Sequence, residues 1–352
     1  MESDTCVFGD YSILYSLFVQ GWGEIAQEWV KAVNAQKGGD VQAVKTFWTE
    51  WLAKPWDDTP VKTTNEDLAK FLAGDYGRGE LPEETAFITT TADVGRLGDS
   101  GDLIFHWQVM AWWRGAQGAV VDWGLAVGVA EFAAVVKKRY RFQNSATELP
   151  VADFPIGLDA AKYSSEVYAV ADMFTTAIPI RGDSKTGASV GVDLYYGTVR
   201  KADQPASLVA MKRKAGLWDM LMINSERTQL LRHSLVTKGL RPGWAGFVRV
   251  PREVEQDVSG FDDWLSQWKA DYKKGTVWER NGANEAGDNY RYGRAMAQRY
   301  TLNGLRWSTI DLPDRYKPKP PPEVRPPGSH QRRPGRTGFV KQSGGSFISQ
   351  RN

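Results

Sequence analysis

The sequence predicts an α/β fold: a mixed β-sheet flanked by helices, preceded by a small helical module and followed by a basic, disordered tail. Three observations carry this. Short apolar runs rich in β-branched and aromatic residues begin at residue 86 and are interleaved with stretches of 3.6-residue periodicity. Upstream, Trp22, Ile25, Ala26, Trp29, Val30 and Val33 recur at helical spacing. From Pro313 onward, Pro, Gly and basic residues dominate.

Residues 8–75 read as helical, with a second amphipathic pattern over 41–52 that Pro55 and Asp57-Asp58-Thr59-Pro60 bring to an end. The polar stretch 62–84 marks a boundary, giving three segments: 1–75, 76–312 and 313–352. In the middle segment, strands are expected at 86–92, 103–113 and 119–127, with a Gly/Asp turn over 95–102. A helix over 129–140 carries Lys137, Lys138 and Arg139 in its last turn, where positive charge suits the helix dipole. A fourth strand ends at Asp159, a helix follows over 164–173, and a fifth strand covers 178–181. Three antiparallel strands followed by strand, helix, strand is the order of the ribonuclease H-like fold. Further on, strands are expected at 193–199 and 211–214, and helices at 225–235, 261–272 and 284–300.

Composition bounds the classes open to the chain. Its 352 residues suffice for a sizeable core, and 42% apolar with 24% charged content is ordinary for a globular protein. Five of the fifteen tryptophans fall in the first 60 residues, which points to core or docking surface. Net charge is only +2, but residues 315–352 hold nine Lys/Arg against one acid, Glu323. A single cysteine, Cys6, excludes an internal disulfide and fits a reducing compartment. The N-terminus lacks a basic n-region, and its apolar run over 13–19 is too short to span a bilayer, so a soluble, cytoplasmic protein is expected.

The chemistry is carried by aspartates at element ends. Asp93 closes Phe87-Ile88-Thr89-Thr90-Thr91-Ala92, Asp159 closes Phe154-Pro155-Ile156-Gly157-Leu158, and Asp288 opens the last helix with Glu285 one turn before it. Each alone reads as well as a turn residue or a helix cap. Together they supply three or four carboxylates for one site. Clustered carboxylates repel one another unless a cation neutralises them. Two divalent ions are therefore expected, with Asp93 as the bridging ligand and Asp159 and Asp288 each serving mainly one. Glu285 is a ligand, a supporting group beside the ligands, or a solvated acid.

Other chemistries fit less well. His106, His233 and His330 have no metal-ligand spacing, and read as a strand, a helix-surface and a tail residue. No nucleophile elbow occurs, and Gly182-Asp183-Ser184-Lys185-Thr186-Gly187 has the wrong order for a phosphate loop. Arg181, Lys185, Lys201, Lys212, Arg213 and Lys214 form either a solvated face or a DNA-backbone contact; Lys212-Arg213-Lys214 and the tail are the better candidates for the latter.

These residues resemble the large terminase subunits of tailed bacteriophages, of the lambda-like type, which couple an N-terminal packaging ATPase to a ribonuclease H-like nuclease. The family's Gly-Val-Asp-Val-Gln motif is similar to Thr91-Ala92-Asp93-Val94-Gly95, followed by a strand with Trp107, Trp112 and Trp113 and by Val121-Asp122-Trp123-Gly124. Its Ile-Asp-Ser-Gly and Glu-Val-Tyr motifs resemble Leu158-Asp159-Ala160-Ala161 and Glu166-Val167-Tyr168. Its Asn-Glu-Ala-Leu-Asp, preceded by a Trp, resembles Trp278 and Asn284-Glu285-Ala286-Gly287-Asp288. Upstream, Tyr15 to Phe18 with Trp22, and 45–56, are similar to the segment joining ATPase to nuclease. The departures are Gly95 for Gln and Ala161 for Gly, neither of which removes a carboxylate.

The resemblance implies a Mg²⁺- or Mn²⁺-dependent endonuclease of double-stranded, concatemeric DNA, with Asp93, Asp159 and Asp288 as ligands. It implies the portal protein and the small terminase subunit as partners; the larger departure from the family is the absent ATPase, which is expected to be separately encoded or missing. A resolvase or transposase of the same fold would add a sequence-reading domain, of which no helix-turn-helix signal is seen. A rival of another class is a non-catalytic docking module whose Trp-rich N-terminus binds a packaging partner.

Overall fold

The computed structural model describes residues 22–37, 41–54, 63–98, 101–183, 194–198, 220–253, 261–274, 277–302 and 306–317. The strand expected at 211–214, the basic residues Lys185, Lys212, Arg213 and Lys214, and the tail from residue 318 lie outside the described residues.

The chain opens with α1 (Trp22–Lys37), α2 (Val41–Thr46) and one π-helical turn at Phe47–Trp51. Ile25, Ala32, Val44 and Phe47 form a small core of their own. Trp29 tilts against Phe47 at 5.1 Å, while Trp22 remains 74% exposed. The Ala245 amide donates to the Lys37 carbonyl, tying the end of α1 to the larger core. Helix α3 (Asn65–Leu72) starts where the Thr64 hydroxyl accepts from the Asp67 amide, which satisfies one of the free donors of the first turn.

Three long strands follow: β1 (Phe87–Arg96), β2 (Leu103–Trp113) and β3 (Gln117–Val127), paired antiparallel. After α4 (Gly128–Val136) come β4 (Ile156–Asp159), α5 (Ser164–Asp172) and β5 (Ala177–Asp183). The remaining elements are β6 (Tyr195–Thr198), β7 (Met220–Asn224), α6 (Ser225–Val236), β8 (Val248–Arg249), α7 (Phe261–Lys269), β9 (Asp271–Lys274), β10 (Val277–Arg280) and α8 (Glu285–Tyr300). The main sheet has eight strands in the order β8-β3-β2-β1-β4-β5-β7-β6. Strands β4 and β5 run parallel to β1, so β3-β2-β1-β4-β5 has the ribonuclease H-like order. The sheet continues with β7 parallel to β5 and β6 antiparallel to β7.

Helix α8 crosses the centre of one face of this sheet. Residues along a strand alternate between faces, so Thr89, Thr91 and Asp93 share one side of β1. Thr91 pairs with Gly157 on β4, which puts Gly157 and Asp159 on that same side. The Thr91 hydroxyl donates to the Asn289 carbonyl of α8 at 3.0 Å, identifying this as the helix-bearing face. Close approach depends on Gly293: a Cβ there would stand 2.9 Å from Met110 Sδ. Beneath the helix, Phe87 stacks on Tyr300 at 4.4 Å, and buried Trp112 donates its Nε1 hydrogen to Thr89 Oγ1. Burying each such large apolar side chain stabilises the fold by roughly 1.5–3 kcal/mol.

Three expectations need correction. The helix expected over 129–140 ends at Val136, and Arg139–Phe142 is a strand paired with Glu148–Pro150. Arg139 and Arg141 face solvent while Tyr140 and Phe142 are buried, a period of two that only a strand satisfies. The helix expected over 261–272 ends at Lys269, because Asp271–Lys274 forms a hairpin with Val277–Arg280 in which Tyr272 donates to its cross-strand partner Glu279. His233 is buried on α6, edge-on to Trp278, rather than on the helix surface. The last described residues also pack down: Asp314–Tyr316 makes a 3₁₀ turn and Tyr316 lies 5.8 Å from Phe154.

Candidate active site

Where β1 and β4 emerge beneath the N-terminus of α8, the surface opens into a cleft of about 800 Å³. Asp93, Asp159, Glu285 and Asp288 all line it. The first two come from neighbouring strands and one face. The other two come from the first turn of the helix lying over that face, where negative charge suits the helix dipole. Four acids from distant parts of the chain therefore line one cleft, although Asp93 does not close its strand, which runs on to Arg96.

Their environments differ. Asp159 Oδ1 accepts from the Ala161 amide at 2.9 Å, and Oδ2 accepts from the Tyr292 hydroxyl at 3.2 Å. Burial nonetheless pushes the Asp159 pKa up, with Asp288 adding to the effect. Asp288 is buried; its Oδ1 accepts from Arg291 Nη1 at 2.5 Å and its Oδ2 from Asn284 Nδ2 at 3.1 Å. Asn284 is in turn shared with Asp271, which pairs with the fully buried Arg232 at 3.1 Å and with Arg280 at 3.4 Å. Gly287 makes room for this: a Cβ there would stand 2.7 Å from Arg232 Nη1. Asp93 is the most perturbed acid. Desolvation, then repulsion from Asp159, Asp288 and Glu285, pushes its pKa up to about 8.

Among the described residues, no three His, Cys, Asp or Glu side chains are arranged as a ready-made metal cage. Asp288 is turned toward Arg291 and Asn284 instead. The donor chemistry still fits a hard divalent cation. All four candidates offer carboxylate oxygens, and Glu285 Oε2 is buried without a hydrogen-bond partner. Glu285 is thus not a freely solvated acid. A cation beside Asp93 would offset both the burial and the repulsion that push its pKa up.

The basic residues divide differently from expectation. Arg181 lies on β5 next to Gly182, which lines the cleft; alternation along the strand points Arg181 to the opposite face. The cations at the cleft are Arg96, Lys162, Arg280 and Arg291, which sequence reasoning had not singled out. Arg96 pairs with Glu166 and lies 4.9 Å over the Tyr163 ring. Arg96, Lys162 and Arg291 each follow a predicted ligand by three residues, but only Arg291 shares a helix with its acid, where that spacing brings the two side chains together.

A ribonuclease H-like sheet with acids from its first and fourth strands and an overlying helix gathered in one cleft defines the class of ribonuclease H-like nucleases. Comparison with family models agrees and is more specific. The model of the terminase large subunit gpA, endonuclease domain, matches residues 11–307, and the chain belongs to that family. Searches of curated proteins and of solved structures returned no match. The family makes the chain a nucleic-acid hydrolase of phage DNA packaging. No helix among the described residues is long and apolar enough to cross a membrane.

Proposed function

We propose that this chain is a divalent-metal-dependent endonuclease that cuts double-stranded, concatemeric phage DNA during genome packaging. One observation carries the reading: Asp93, Asp159, Glu285 and Asp288 line one cleft, where burial first and then their mutual repulsion push the Asp93 pKa up to about 8. That is the charge balance of a site built to be completed by cations.

Asp93, at the centre of the cluster, is the shared ligand in this reading, with Asp159, Glu285 and Asp288 around it. When bound, a pair of Mg²⁺ or Mn²⁺ ions supplies water activation and charge neutralisation for in-line phosphodiester hydrolysis. The chain's own residues do the positioning. Tyr292 and the Ala161 amide fix the orientation of the Asp159 carboxylate. Arg96, Lys162 and Arg280, all lining the cleft, are the phosphate-backbone contacts. Contacts to the phosphate backbone carry no sequence information, so cutting with little sequence preference follows in this reading. The partners in this reading are DNA, the portal protein, the small terminase subunit and a packaging ATPase, in the host-cell cytoplasm.

Plasmid nicking with Mn²⁺, wild type beside Asp93→Ala, tests the proposal. Nicking by the wild type and none by the variant supports it. Inert wild-type protein favours the docking module instead, with the exposed Trp22 and Val30 of α1 as its surface.

A further inference from the structure

Asp288 stands apart from the other acids of the cleft in what holds its carboxylate: a buried guanidinium rather than neutral donors alone. Both oxygens are held, by Arg291 Nη1 at 2.5 Å and by Asn284 Nδ2 at 3.1 Å. Arg291 is itself buried, and its Nε donates to Thr228 Oγ1 at 3.2 Å. The stem of the guanidinium is therefore tethered to α6, while its Nη2 lies 3.9 Å from where a Gly182 Cβ would stand, in the cleft wall. A buried carboxylate without compensation is strongly destabilising. Arg291 supplies that compensation from one helical turn away.

We propose that Arg291 is a positioning residue: its guanidinium stands in for a cation on Asp288 in the metal-free protein, and a divalent ion must displace it. This rests on the metal-dependent reading above. The arginine lets α8 dock on the sheet before any ion arrives, and the same contact then opposes ion binding. Once released, the guanidinium remains tethered at Thr228 beside the cleft, where a DNA phosphate oxygen is its natural acceptor.

Calorimetric titration of MnCl₂ into the full chain, without DNA, separates the possibilities. Arg291→Met removes the competing charge and is expected to bind Mn²⁺ roughly tenfold more tightly, equivalent to about 1.4 kcal/mol. Its melting temperature should fall without Mn²⁺ and rise more than that of the wild type when Mn²⁺ is added. A purely structural role for Arg291 predicts equal or weaker Mn²⁺ affinity in the variant, which would overturn the proposal. Arg291→Lys guards against misfolding of the first variant. It keeps a charge but loses the fork and the tether, so roughly threefold tighter binding is expected, and wild-type or weaker affinity again overturns the idea. Wild-type protein that binds no Mn²⁺ sinks both this inference and the metal-dependent reading; wild-type binding without the gain in either variant sinks this inference alone.

Discussion

In metal-free buffer the protein should lose stability steadily from weakly acidic to weakly basic pH, and Asp93 should account for most of the loss. Its pKa of about 8 in the folded chain lies above its ordinary value of 3.8, so the folded state holds a proton that the unfolded state has given up. The stabilisation is fully present below the unfolded value and disappears as pH rises through the folded one. At about 1.4 kcal/mol per pH unit, the gap caps the loss at about 6 kcal/mol. The open side of the cleft admits water and salt, which screens the four acids and reduces the expected loss to about 3 kcal/mol. The raised pKa of Asp159 adds a change of the same sign. Asp122 works in the opposite direction: burial opposes its ionisation, but Lys138, Arg78 and Tyr140 outweigh this and hold its pKa low, so its contribution is lost only in acid. Urea unfolding in EDTA between about pH 5 and pH 9 avoids that range and isolates the cleft. Wild type should weaken across the range, Asp93→Asn should keep only the smaller slope that Asp159 contributes, and Mn²⁺ at the basic end should restore the wild type. Equal pH dependence in wild type and Asp93→Asn would refute the reasoning.

Three further outcomes follow from the same contacts. Tyr292→Phe removes the donor that orients Asp159 and should lower Mn²⁺ affinity or nicking by about 10- to 100-fold, with little change in the urea midpoint. Asp271→Ala leaves fully buried Arg232 without its carboxylate and should cost about 3–5 kcal/mol in urea unfolding. Gly287→Ala drives a methyl against Arg232 Nη1 at 2.7 Å and the Gln267 carbonyl at 3.0 Å, and should cost about 1–3 kcal/mol by the same measurement.

Much of this architecture was legible because the sheet centre is buried on both faces. The run 103–113 forms a strand with the expected bounds, since most of it is buried and it is rich in aromatic and β-branched residues. Asp93 and Asp159 were legible as a pair because each closes such a run, and strand pairing then fixes them to one face. Hairpins hidden at helix ends were not. Lys137 and Lys138 suit a helix terminus, which masked the alternation of Arg139–Phe142 immediately after them. Asp271 reads as a polar residue late in a helix until Arg232, 39 positions earlier, is seen to bury with it. The cleft cations were not legible either. Arg96 and Lys162 each follow an acid of the site by three residues, but on a strand or in a loop that spacing does not fix which way the side chain points, and Arg280 has no such relation to an acid of the site. Arg181, chosen from its neighbourhood in the sequence, was turned away by the pleat that brought Gly182 in.

The central claim is that acids from β1, β4 and α8 form one cation-binding nuclease centre. Anomalous diffraction from crystals soaked in Mn²⁺ tests it most directly. Manganese peaks are predicted between Asp93 and Asp159 and beside Glu285 and Asp288, with the Arg291 guanidinium moved off the carboxylate. Mn²⁺ absent from this cleft, or bound only elsewhere, would contradict the account.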